Sequence, residues 1–138
     1  MKKLLPFLFL LALLWAPLFS ARAETTTTVM VYMCGSDISD DALEDVLEMQ
    51  EGVSGDSVTV TLLAGGSSQW TDLFSSRRLN RCVIARQDIV SLETLPNRNM
   101  GDPDTVVDFL DWSVSHCPAD RYILIFWDHG GGSASGVC

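Results

Sequence analysis

Two six-residue runs in this chain, Val29–Cys34 and Tyr122–Trp127, are apolar at every position. A strand with one wet face alternates polar and apolar residues. A run without alternation needs cover on both faces, as strands have in a parallel sheet flanked by helices. Neither run approaches the roughly 20 apolar residues that a membrane span needs.

The segments around these runs fit that demand. Thr25–Thr28 is a polar, β-favouring lead-in to the first run, and Gly35-Ser36-Asp37 breaks it. Ser39 or Asp40 can cap a helix in which Leu43, Val46, Leu47 and Gln50 recur at helical spacing and Gly52 can stop the helix. Val58–Ala64 alternates Val and Thr before Gly65-Gly66 and reads as a second strand. After a loop over Ser67–Ser76, Leu79–Ala85 and Ile89–Leu95 read as short strands, a hairpin or an edge pair. Asp102 and Pro103 form a helix start, with Pro where a missing N–H costs nothing. Val106, Val107, Leu110 and Val114 continue as an apolar stripe, and Pro118 ends the helix. Tyr122–Trp127 then reads as a central, fully buried strand. Strands alternating with helices predict an α/β fold with a mainly parallel sheet, whose function sits at the carboxyl ends of the strands.

Composition adds two constraints. Nine basic against eighteen acidic residues give a net charge of −9, which excludes a nucleic-acid binder that works through a basic face. The apolar excess is concentrated at the start, where Lys2-Lys3, an apolar run over Leu4–Phe19 and Ala21-Arg22-Ala23 follow the plan of a secretory signal peptide. The predicted organisation is a signal over 1–23 and an exported, periplasmic or extracellular, domain over 24–138. The only membrane association expected is through an uncleaved signal. Removing Lys2, Lys3 and Arg22 with the signal leaves six bases against eighteen acids, a charge of −12.

Cys34, Cys82, Cys117 and Cys138 have wide, irregular spacing without C-x-x-C, so no zinc or other metal site is predicted. Export permits disulfides, but Cys34 and Cys82 are expected to be buried free thiols acting as small hydrophobes.

The second apolar run leads directly into Asp128-His129-Gly130-Gly131-Gly132. A histidine held by a strand end beside glycine N–H groups suits acyl transfer. The imidazole moves protons and the amides hold an oxyanion. The same residues also suit a tight turn with a structural histidine. His116 falls in the last turn of a helix, where a structural role through the helix dipole is expected. Asp128 should point to the face opposite His129. Asp37 either lines a cleft and binds substrate or caps the helix that follows.

The segments Thr28–Met33 with Gly35-Ser36-Asp37, Asn99-Met100-Gly101-Asp102-Pro103, and Phe126-Trp127-Asp128-His129-Gly130-Gly131-Gly132 together resemble the clostripain family of cysteine peptidases. The resemblance implies a caspase-like three-layer α/β/α sandwich, incomplete at its C-terminus, and peptide-bond hydrolysis by a Cys–His dyad. It places the catalytic histidine at His129 and an oxyanion-holding backbone N–H at Gly130. Partners are then peptides or proteins cleaved after Arg or Lys. The family's nucleophilic cysteine closes the next core strand and is expected beyond Cys138. Cys138 itself follows His129 too soon, so this chain alone is expected to be inactive. Ser133-Ala134-Ser135 departs from the aromatic residue common in relatives. No cofactor is required. Some members use calcium, although no EF-hand-like loop occurs here.

Two other readings remain open at this level. One is an α/β-hydrolase-type esterase in which His-Gly-Gly-Gly forms the oxyanion loop. Gly132-Ser133-Ala134-Ser135-Gly136 is not its G-x-S-x-G elbow, because Ala134 holds the central position. The other is a non-catalytic exported binding module whose glycine loop contacts a ligand.

Overall fold

A computed structural model describes residues 24–70, 73–131 and 136. The signal-peptide segment and Cys138 lie outside the described residues. The elements are β1 (Thr27–Cys34), α1 (Ser39–Gly52), β2 (Val58–Gly65), β3 (Leu79–Ala85), β4 (Asp88–Leu95), α2 (Pro103–His116) and β5 (Arg121–Trp127). They form one five-stranded sheet in the order β4-β3-β2-β1-β5.

β1 runs parallel to both β2 and β5, with Cys34 opposite Gly65 and Met33 opposite Trp127. The expected parallel unit is therefore present. β3 and β4 add an antiparallel margin, paired with β2 and with each other. Their hairpin turns at Arg86 and Gln87, which both take positive φ, the backbone that two-residue hairpin turns require.

β1 is covered on both sides, as its uniform apolarity demands. Val31 and Met33 face Ala42 and Val46 of α1, while Met30 and Tyr32 face Phe109 and Trp112 of α2. The result is a helix–sheet–helix sandwich. Two polar residues buried on the α2 side of the sheet are satisfied: Thr61 donates to Ser113 Oγ at 2.9 Å, and Thr28 to the Cys117 carbonyl at 2.8 Å.

Several sequence expectations are corrected. β5 is the edge strand rather than the centre, and Tyr122–Phe126 are 40–49% exposed. Its apolarity matches a buried strand, but among the described residues only β1 pairs with it. The buried stripe of α1 is Ser39, Ala42 and Val46, whereas Leu47 is exposed. The small Ala42 lets the helix approach the sheet closely. The buried face of α2 is Thr105, Phe109, Trp112 and Ser113, and it turns Val107 and Val114 outward. The large Phe109 and Trp112 rings bury more area than the valines and set the helix rotation.

Neither Ser39 nor Asp40 caps α1. The N-cap is Ile38 and no side chain bonds there, because Ser39 Oγ is turned into the interior. α1 also runs through Gly52 and is closed by Val53. Cys34 is disulfide-bonded rather than a free thiol. Cys82 is free and buried, as expected, and burial pushes its thiol up to about 12.

The start of α2 is as predicted. Asp102 is the N-cap, its carboxylate accepts from the Asp104 N–H at 3.0 Å, and Pro103 opens the helix. Asp102→Ala should lower stability by about 1 kcal/mol. A lower urea midpoint at unchanged slope checks this.

Candidate active site

Because β1, β2 and β5 are parallel, their carboxyl ends emerge along one rim of the sheet. That rim brings Gly35-Ser36-Asp37, Gly65-Gly66 and Asp128-His129-Gly130 together from distant parts of the chain.

The turn after β1 is fixed by packing. The Gly35 N–H donates to the Gly65 carbonyl, and the Ile38 N–H to the Gly35 carbonyl, both at 2.8 Å. Trp70 lies against Gly35 so closely that a Cβ there meets the indole, with Cε2 at 2.7 Å. The indole N–H in turn donates to the Gly65 carbonyl at 3.3 Å. Gly35→Ala should therefore destabilise the protein by about 1–3 kcal/mol through overpacking and displace the Ser36–Asp37 turn. Thermal melts should show the first effect.

Ser36 takes φ +36°, a conformation that non-glycine residues rarely adopt. It is held there by its hydroxyl, which donates to Asp128 Oδ1 at 2.8 Å. Asp37 does not cap α1. Its Oδ1 lies 2.7 Å from His129 Nε2. The shared hydrogen bond raises the His129 pKa above the usual histidine value and lowers that of Asp37 below the usual carboxylate value.

Asp128 lies just past the end of β5. Its Oδ1 accepts from the His129 backbone N–H at 2.8 Å and from Ser36, so it braces the loop and not the imidazole ring. Trp127 anchors the same strand end to α1, with its indole N–H donating to Asp45 Oδ2 at 2.5 Å. Gly130 has φ +73°, which glycine enters without the steric cost a Cβ brings. His116 sits where the sequence put it, its Nδ1 2.9 Å from the Trp112 carbonyl and far from this rim in the fold.

At the same rim opens a cavity of about 480 Å³, lined among others by Ser36, Ser67, Arg78, Arg98, Asn99 and Asp128, the residue before His129. Arg98 is ion-paired with Asp108. Asn99, Met100 and Gly101 form one wall. Tyr32, buried under it, donates to the Met100 carbonyl at 2.8 Å, and burial pushes its phenol up to about 12. The sequence singles out Asp37, His129 and Gly130, which the fold brings to this rim, but not Ser36 or the cavity arginines. The loops that carry those residues converge only once the strand order is known.

Of the described free cysteines, neither can meet His129. Cys82 is buried in the sheet, and Cys117 follows α2 near the start of β1. Among the described residues no group of His, Cys, Asp and Glu could hold a metal ion. No described helix is long and apolar enough to cross a membrane.

A family model described as the clostripain family matches residues 31–136. Clostripain of Hathewaya histolytica is 27% identical over 134 residues, which cover 83% of this chain and 25% of that protein. The chain thus spans a quarter of the length of this curated relative. Among solved structures, a secreted C11 cysteine protease from Bacteroides thetaiotaomicron, in complex with an irreversible peptide inhibitor, is 30% identical with a TM-score of 0.60. The match covers 78% of this chain and 30% of that one. A B. fragilis cysteine protease is 26% identical with a TM-score of 0.59, over 78% and 92% of the two chains.

Proposed function

The chain belongs to the clostripain family, and on that premise we propose that it supplies the general acid–base histidine of an exported cysteine endopeptidase. The observation that carries this reading is the placement of His129. It stands at the carboxyl rim of three parallel strands, with a carboxylate on one ring nitrogen, and its neighbour Asp128 lines the cavity that opens at the same rim. Family membership sets the esterase reading aside, and Asn99, Met100 and Gly101, from a block that has no role in an esterase, line this cavity.

In the proposed reaction a cysteine thiolate attacks the scissile carbonyl carbon and a C–S bond forms. Backbone N–H groups, that of Gly130 among them, hold the oxyanion. The His129 imidazolium then gives its proton to the leaving amine as the C–N bond breaks. Neutral His129 next takes a proton from water, which releases the acyl group and restores the thiolate–imidazolium pair.

The nucleophile is proposed to close a further strand pairing with the open edge of β5. The half-exposed Tyr122–Phe126 and the outward Val107 and Val114 of α2 support this, since together they form an apolar surface without cover among the described residues. The described residues alone are then inactive. A preference for cleavage after Arg or Lys rests on the family resemblance. The acidic rim of Asp37, Asp41 and Asp128, which would attract a basic peptide, supports it. Export rests on the N-terminal sequence and on the secreted relative.

The test is hydrolysis of Arg-, Lys- and Ala-containing reporter peptides by the full gene product. Cleavage of the basic reporters is expected. Equal turnover of all three contradicts the preference, and cleavage by residues 24–138 alone that is lost on Cys138→Ala contradicts the assignment of the nucleophile elsewhere.

A further inference from the structure

Among the described residues, His129 is gripped at one nitrogen only. Asp37 Oδ1 holds Nε2 at 2.7 Å, although the two residues are 92 positions apart. Asp37 is itself placed by a turn with little freedom. Gly35 is locked against Trp70, and the two backbone hydrogen bonds at Gly35 and Ile38 set the peptide planes on either side. Ser36 Oγ lies 3.3 Å from Asp37 Oδ1 and ties the same turn to Asp128. This arrangement is more than a surface ion pair that two long side chains could form or break. Both partners are short, and each backbone is pinned by its own contacts.

We propose that Asp37 is a positioning residue that fixes the ring of His129 through Nε2 and leaves Nδ1 to face the reacting thiol. This deepens the peptidase reading and rests on it, because a dyad becomes a three-membered relay in which Asp37 touches neither substrate nor nucleophile. A carboxylate on Nε2 also selects the tautomer, since Nε2 must carry its hydrogen to donate and Nδ1 is then the nitrogen that gains and loses the catalytic proton.

The carboxylate favours the imidazolium, and the charges facing His129 act in the same sense. They are Asp37 from the turn after β1, Asp41 from α1 and Asp128 from the end of β5. The alkaline limb of activity, which reports loss of the imidazolium, therefore lies above the ordinary histidine range. Removing the Asp37 charge moves that limb to lower pH.

The experiment uses the full gene product with Asp37→Asn, Asp37→Ala and the neighbouring control Asp41→Asn. Two quantities are read: kcat and KM across pH, and the His129 titration midpoint by ring-proton NMR with His116 as internal reference. Asp37→Ala is expected to lower kcat about tenfold or more, with KM little changed. Asp37→Asn keeps an acceptor for Nε2 and should fall less in kcat, yet both variants should shift the alkaline limb and the His129 midpoint to lower pH. Asp41→Asn, whose carboxylate makes no hydrogen bond to the ring, should move the midpoint less than either. An unchanged His129 midpoint in Asp37→Ala, or an unchanged kcat, overturns the proposal. Failure of the peptidase reading looks different. The unsubstituted protein then cleaves nothing, while its His129 midpoint still responds to Asp37.

Discussion

Replacing His129 with alanine should reduce kcat/KM for a basic reporter peptide by about 10²–10⁴-fold, the range in which a positioned acid–base group contributes. Most of the loss should fall on kcat, because in the proposed reaction the imidazole acts on the leaving amine and not on the bound peptide. The fold should not notice. The His129 side chain is 61% exposed and packs against no core cluster, so the melting temperature should match that of the unsubstituted protein. That separation of activity from stability distinguishes an acid–base histidine from one that merely closes a turn. A drop in melting temperature alongside activity would favour the turn.

Phe109→Ala should act in the opposite way, with a loss of about 3–5 kcal/mol of stability against a total of about 5–15 kcal/mol for a domain of this kind. The ring is almost completely buried. It lies 6.0 Å from the Tyr32 ring and 6.2 Å, nearly parallel, from Trp112. No neighbouring side chain can swing into the gap, because Tyr32 is tethered to the Met100 carbonyl and Trp112 is held beneath the Arg81 guanidinium. The cavity should therefore persist. A chemical denaturation midpoint measures the loss, and a loss below 1 kcal/mol would mean that α2 collapses onto the sheet.

Local signals in the sequence carried far. Uniform apolarity located β1 and β5, and Asp102-Pro103 marked the start of α2 to the residue, since a cap and a proline act within one turn of backbone. Properties that depend on partners distant in sequence were not legible. The apolar run at Tyr122–Trp127 predicts a strand that wants cover, but not whether neighbours supply it, and β5 is an edge. Helix rotation was missed for a related reason. Periodicity favoured Leu47 and Val107, while packing against the sheet was decided by small Ala42 and by the rings of Phe109 and Trp112. Asp37 illustrates the same limit at the site. An aspartate before a helix looks like a cap, and only the parallel register of β1 and β5 brings His129 within its reach.

Central to the proposed mechanism is that His129 would activate a cysteine on a strand added to the open edge of β5. The direct measurement is to capture that cysteine in the full gene product with a thiol-reactive peptide carrying Arg or Lys. The adduct is then located by mass spectrometry, with and without His129→Ala. The predicted result is a single adduct on a cysteine other than Cys34, Cys82, Cys117 or Cys138, formed about 100-fold or more slowly in the variant. An adduct on any of those four, or a rate indifferent to His129, would contradict it.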